Sequence, residues 1–293
     1  MKRTVLTFLL LFASLVTGLA RTAGDGSSQI LRCRYVYSFK KDSLDDRRFR
    51  DTTMLLDVYG SQSVFYSGFG YLRDSSLRAL ENAGMSLPEM MAESNRLGLS
   101  SGYGEDFQYF IDFKKNLYEK YDYIGLISLK GEGELTVPEW LPAKDKSIDT
   151  VCGHPCRLLV GDYLGRRWTI WYATDIAVPA GPWLLWGAPG LIMQAVDSDR
   201  LFIFFARDIG YAPSDRRDDL MDNINVGLEH RTYPIRKMEM ILNRTKRSTM
   251  EEQKYTGWPV FEHLDDGTMV RSDRTLPYIP LIPDEYWEKN KKR

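Results

Sequence analysis

Apolar and polar residues alternate over long stretches of the chain, the period of strands that bury one face. Leu31, Cys33, Tyr35, Tyr37 and Phe39 alternate with Arg32, Arg34, Val36 and Ser38, which predicts a first strand with one largely apolar face. Met54, Leu56 and Val58 start a second strand and 64–69 a third, with Gly60-Ser61-Gln62 as the hairpin turn between them. Phe107, Tyr109, Ile111 and Phe113 alternate again, and 116–123 with 125–129 reads as a further pair. Residues 156–162 turn through Tyr163-Leu164-Gly165 into 167–174, where Trp168, Ile170 and Tyr172 share one face and Arg167, Thr169 and Trp171 the other. Residues 191–196 and 201–207 predict another hairpin, closed by Asp197-Ser198-Asp199-Arg200.

Two regions break this period. Asp74-Ser75-Ser76 can cap a helix, and Leu77, Leu80, Leu87, Met90, Met91 and Leu97 follow at helical spacing, with Gly84 and Pro88 dividing the stretch into two short helices. Late in the chain, 213–222 suits a short helix and 235–253 a longer one, with Lys and Arg crowding its middle. Pro277, Pro280 and Pro283 then predict an extended tail, mobile or laid along the surface. Many short strands at hairpin spacing, with few helices, predict a mainly β fold. The expected form is a large bent antiparallel sheet or open half-barrel, with a few short helices packed at one side and across its mouth, because so long a sheet tends to curl.

The stretch 179–190 is expected to be a fixed corner of this sheet. It contains Gly181-Pro182-Trp183 and Trp186-Gly187-Ala188-Pro189-Gly190. Ala188-Pro189-Gly190-Leu191 fits a type II turn, in which Pro presets φ and Gly takes the positive-φ place. Trp168, Trp171, Tyr172, Trp183 and Trp186 are either core beneath this corner or the wall of a concave ligand site, where aromatics give broad contact area. Arg167 would pair with a carboxylate beside them.

Composition narrows the classes. The chain has 293 residues, 13% of them aromatic, with 39 basic and 40 acidic side chains. That balance argues against a general nucleic-acid binder. Lys2 and Arg3, an apolar run over 5–16 and the small residues of Gly18-Leu19-Ala20 resemble a secretory leader, too short to span a membrane. The expected divisions are a leader at 1–20, a loose start at 21–29, one β-rich domain at 30–243 with a helical insertion at about 74–99, and an extension at 244–293. The mature protein is expected in the periplasm and not as a lipoprotein, since Cys33 lies far past the cut.

Candidate chemistry centres on Cys152-Gly153-His154-Pro155-Cys156. Cys152, His154 and Cys156 would hold a metal, or form a thiol–imidazole pair, only if the segment folds back on itself, because alternate residues of a strand lie about 6.6 Å apart. An oxidising compartment favours one disulfide among three cysteines. Cys152 with Cys156 is too distant on an extended strand. Cys33 with Cys156 is preferred, Cys33 with Cys152 being the other option. No serine elbow and no phosphate loop is present in the sequence.

Several of these segments together resemble the GLPGLI family of Bacteroidota envelope proteins. The hexapeptide Gly187-Ala188-Pro189-Gly190-Leu191-Ile192 is similar to its name motif, with Ala188 in place of Leu. Gly153-His154-Pro155-Cys156, Gly165-Arg166-Arg167, the aromatic strand 167–176 and Tyr233-Pro234-Ile235 fall in the family's order, over about 30–243. The resemblance implies an envelope location and supplies no reaction. The expected function is non-catalytic binding, of an apolar, peptide or other extended ligand or of a partner such as an outer-membrane transporter, without a cofactor. The alternative is a metal protein or cysteine enzyme built on Cys152, His154 and Cys156.

Overall fold

The computed structural model describes residues 29–40, 49–98, 105–125, 127–144, 148–213 and 230–290. The leader at 1–20 and the helix expected at 213–222, apart from Pro213 at a strand end, lie outside these residues. The alternating stretches do form strands. β1 (Gln29–Lys40), β2 (Phe49–Tyr59), β3 (Gln62–Ser67), β4 (Gln108–Asp112), β5 (Leu117–Ile124) and β6 (Ile127–Glu134) make one meander. β7 (Leu141–Pro142), β8 (Asp149–Val151), β9 (His154–Tyr163), β10 (Arg166–Ala173), β11 (Ile192–Asp197) and β12 (Phe202–Pro213) make a second. The two join where β1 pairs antiparallel with β12, from Gln29 opposite Pro213 to Phe39 opposite Phe202.

The sheet order is β13-β6-β5-β4-β3-β2-β1-β12-β11-β10-β9-β7, with β8 beside β9. β13 (Arg231–Pro234) lies parallel to β6, and the other neighbours are antiparallel. β14 (Phe261–His263) and β15 (Met269–Arg271) form a separate ribbon. The large sheet is mixed, strongly bent and not closed. Phe65 on β3 and Phe204 on β12 stand three strand spacings apart, about 14 Å on a flat sheet, yet their ring centroids are 6.0 Å apart. The concave face thus gathers Tyr35, Tyr37, Met54, Leu56, Tyr109, Trp168 and Phe204 into one core.

The helices depart from expectation in position. α1 (Gly68–Asn82) starts before the predicted Asp74 cap, because Ser67 Oγ accepts from the Gly70 N–H at 3.1 Å. α2 (Leu87–Arg96) starts at Ser86, whose capping box is completed by Glu89. Tyr71 of α1 meets Tyr66 on the convex face of the sheet, so the insertion does not cross the mouth. That place is taken by late elements: α3 (Ile235–Arg247), α4 (Thr249–Thr256) and α5 (Asp284–Lys289). α3 lies close on β6 because β6 offers glycines; a Cβ on Gly131 would come 2.6 Å from Met238 Sδ.

Two expectations about the C-terminal part are corrected. The boundary expected at residue 243 falls inside α3. The tail is neither mobile nor peripheral, since Ile282 and Trp287 are buried in the main core and Ile279, Leu281 and Tyr286 pack against it. Prolines keep the strap 276–283 extended, and its few large apolar side chains anchor it.

Candidate functional site

β5 turns Tyr118, Lys120, Asp122 and Ile124 to the core face, so two charged side chains enter an otherwise apolar surface. α3 brings Glu239 and Lys246 to meet them, seven residues and so about two turns apart on one helix side. Lys120 Nζ lies 2.9 Å from Glu239 Oε1 and 3.5 Å from Asp122 Oδ2. Lys246 Nζ lies 3.3 Å from Asp122 Oδ2 and 3.5 Å from Glu105 Oε2. Lys120 stands over the Tyr109 ring at 5.6 Å, and Lys246 over Tyr278 at 5.5 Å.

Burial pulls the Lys120 pKa down, but Glu239 and Asp122 outweigh it and raise it above the usual value. Lys246 behaves alike: burial lowers its pKa, and Asp122, Tyr278 and Glu105 lift it well above the usual value. Burial pushes the Asp122 carboxyl up, and Lys246 and Lys120 bring it below the usual range. All three stay charged at neutral pH.

Beside this network a cavity of about 520 Å³ opens between the concave sheet, α3 and the strap. Tyr37, Phe39, Phe107, Tyr109 and Phe202 form its sheet wall, and Leu276, Pro277, Tyr278, Ile279, Leu281 and Ile282 its strap wall. Arg166 at the start of β10 secures the strap. Its Nε donates to the Leu281 carbonyl at 2.8 Å, its Nη2 to that of Pro280 at 2.7 Å, and its Nη1 to Asp197 Oδ2 at 3.3 Å. Its guanidinium also lies over the Phe202 ring at 4.5 Å. Replacing Arg166 with Met removes all of these, and limited proteolysis should then cut the strap about tenfold faster. Arg167→Met is the control, because Arg167 is exposed and, among the described residues, its ion pair is with exposed Asp162 at 3.3 Å.

Of the two readings of the aromatic group, core or ligand wall, the structure takes the core. Trp168 and Trp183 are fully buried and Tyr172 nearly so, while Trp171 and Trp186 pack on the core from its edge. Trp186 Nε1 donates to the Thr136 carbonyl at 3.0 Å, and its ring meets Phe113. None of Trp168, Trp171, Tyr172, Trp183, Trp186 or Arg167 lines the cavity. Large rings beside a tight corner fill it, as packing density requires.

The corner is rigid, but its geometry is not the expected type II turn. Gly187 takes the positive φ, +78°, and bulky Trp183 sits at +56°. Gly190 has no positive φ. It is glycine because a Cβ there would lie 1.9 Å from the Ala173 carbonyl oxygen. Gly181 is confined too, its Cβ position being 2.8 Å from Ile192 Cβ. Ala188 and Leu191 around Pro189 are buried, and after Pro182 the chain returns through the Ile192 N–H to Ala180 carbonyl bond at 2.9 Å.

The cysteine segment is a hairpin, with Cys152 (φ +51°) and Gly153 (φ +79°) as its turn. Its side chains diverge. Cys152 Sγ donates to the Ala206 carbonyl at 2.9 Å, His154 Nδ1 meets Asp175 Oδ2 at 2.8 Å, and Cys156 is buried. Among the described residues no three such groups are placed to share a metal. The preferred Cys33–Cys156 disulfide is not formed, since all three thiols are free. β12, β11 and β10 lie between β1 and β9. Burial pushes the Cys33 thiol up to about 12 and the Cys156 thiol up to about 11, unlike an activated nucleophile.

The cavity residues were the ones sequence reasoning missed. One signal was present: Tyr118, Lys120, Asp122 and Ile124 share a strand face, an unusual mix of charge and apolar bulk. The partners Glu239, Lys246 and Tyr278 lie more than a hundred residues later and carry no pattern that ties them to β5.

Fold and cavity together define an open, mainly β protein with an internal chamber under a C-terminal strap. No protein-family model matches the chain, and no curated protein matches it. Among solved structures it is similar to two described as "Structure of PNGF-II in C2 space group" and "Structure of PNGF-II in P21 space group", at 14% and 13% identity, each with a TM-score of 0.48. The likeness covers 80% of this chain and 35% and 36% of those, so the chain spans about a third of their length.

Proposed function

We propose that this is a non-catalytic, secreted envelope protein, related to the GLPGLI family, that holds an apolar or extended ligand in the chamber beneath its strap. The observation that carries the reading is the chamber itself. Its volume of about 520 Å³ falls in the range of small-molecule sites, roughly 300–1,000 Å³. Its sheet wall is largely aromatic and its strap wall is proline-rich, surfaces suited to an apolar body, while charged side chains such as Lys120, Glu239 and Lys246 line the rest. Support for the family relation comes from the corner, where Gly181, Gly187 and Gly190 of the shared motifs each answer a steric need. Export rests on the leader-like first twenty residues.

The test uses Nile red, a neutral dye that brightens on leaving water. The wild-type protein should bind it saturably. Ile279→Trp, which fills the chamber from the strap side, should abolish that signal while the circular dichroism of the sheet is kept. Absence of saturable binding, or equal binding by the filled variant, defeats the proposal.

A further inference from the structure

We propose that the ligand of this chamber carries a carbonyl oxygen on an apolar body, and that this oxygen accepts a hydrogen bond from the Tyr37 hydroxyl, with Tyr278 as the second donor. The inference rests on the binding function proposed above and adds the polar group of the ligand.

Tyr37 stands on β1 in the sheet wall and is only 2% exposed. Its ring is stacked on Phe204 at 4.6 Å and on Phe39 at 4.9 Å between centroids. Side chains stand roughly perpendicular to a sheet, so a ring held this way carries its hydroxyl away from the strand and toward the chamber. Tyr35, two residues earlier on the same face, donates to the Ile192 carbonyl at 2.6 Å, and Tyr66 and Tyr121 donate to Asp57 and Glu119. The Tyr37 hydroxyl has no hydrogen-bond partner among the described residues. Burial lifts its pKa well above the usual value, so the proton stays on and is available to donate.

The strap opposite has its acceptors in use. The Leu276 carbonyl accepts from the Tyr278 N–H, and the Pro280 and Leu281 carbonyls accept from Arg166. Water can satisfy the Tyr37 hydroxyl while the chamber is wet. A purely apolar ligand that expels the water strands a buried donor, which costs more than an ordinary hydrogen bond gains. A ligand that brings its own acceptor avoids that cost. Tyr278 lines the strap wall and is among the groups that raise the Tyr37 pKa, so the two hydroxyls share one field. Its hydroxyl also has no partner among the described residues. A carbonyl oxygen has two lone pairs and can accept from both. A ligand hydroxyl would bring a further proton that itself needs an acceptor.

The experiment is competition against Nile red on the full chain with butyrophenone and butylbenzene, which differ by one carbonyl, the Kd of the dye being measured for each variant. Tyr37→Phe keeps the ring stack and should leave the urea midpoint unchanged or raised. It should weaken butyrophenone about fivefold and leave butylbenzene as it was, the scale of one hydrogen bond. Tyr278→Phe should act in the same direction and by less. A ketone-to-hydrocarbon ratio unchanged in Tyr37→Phe overturns the inference and leaves the binding reading standing. A lowered urea midpoint does the same, because the hydroxyl would then be bonded within the protein. A bound dye that neither compound displaces overturns it as well. A ratio unchanged in Tyr278→Phe alone overturns the role given to Tyr278. Dye that never binds removes the binding reading, and this inference with it.

Discussion

Gly190→Ala is expected to prevent folding, or to destabilise the protein by more than about 4 kcal/mol, the upper tail for single substitutions. The added Cβ would lie 1.9 Å from the Ala173 carbonyl oxygen and 2.9 Å from that of Ile176. Both obstacles are backbone atoms, so no rotamer change relieves them. Ala173 ends β10 and its N–H donates to the Leu191 carbonyl at 2.8 Å, so a shift there breaks the β10–β11 junction. Gly187→Ala provides the contrast. Gly187 has a positive φ of 78°, and a Cβ there would meet side-chain atoms alone, Pro138 Cγ nearest at 3.2 Å, so its cost should be about 1–2 kcal/mol, that of a left-handed alanine. Urea unfolding of both variants separates the cases, and similar losses would show that the corner yields.

Lys120→Met should cost about 3–5 kcal/mol, because it strands Glu239, whose side chain is 8% exposed. The double variant Lys120→Met with Glu239→Met should recover most of that loss, since apolar replacement of a buried pair is often near neutral. A double-mutant cycle by urea unfolding measures the coupling, and additive losses would mean that the two side chains act separately. The pH profile follows from the same network. Asp122 has a lowered pKa in the fold, so its contribution is complete above the unfolded carboxylate value of about 3.9 and fades as pH falls through the depressed one. Lys120 has a raised pKa, so its share is complete below the unfolded value of about 10.4 and fades as pH rises through the elevated one. The network therefore adds a flat plateau between about pH 4 and 10, with losses on both sides.

How far the sequence reaches differs between these two places. The corner was legible as a place, because Pro, Gly and paired tryptophans mark a constrained bend. Its mechanism was not legible, because an empty Cβ position is defined by a carbonyl seventeen residues earlier in the chain. The charge network was hidden for a related reason. Lys120 and Asp122 look like ordinary strand charges until α3 and the strap cover them. The cysteine segment misled in the other direction, since a spacing that suits ligands says nothing about where a two-residue turn points its side chains.

By itself the sequence determined the strand pattern, the antiparallel meanders, a helical break near residues 74–99 and the mainly β class, since each depends on side-chain period and turn chemistry over a few neighbouring residues. Tertiary structure alone decided that β1 joins β12, that α1 lies on the convex face, that the strap closes the core and that a chamber opens beside Lys120. These are long-range pairings, selected by the burial of whole surfaces and by charge compensation between distant segments, and no local period encodes them.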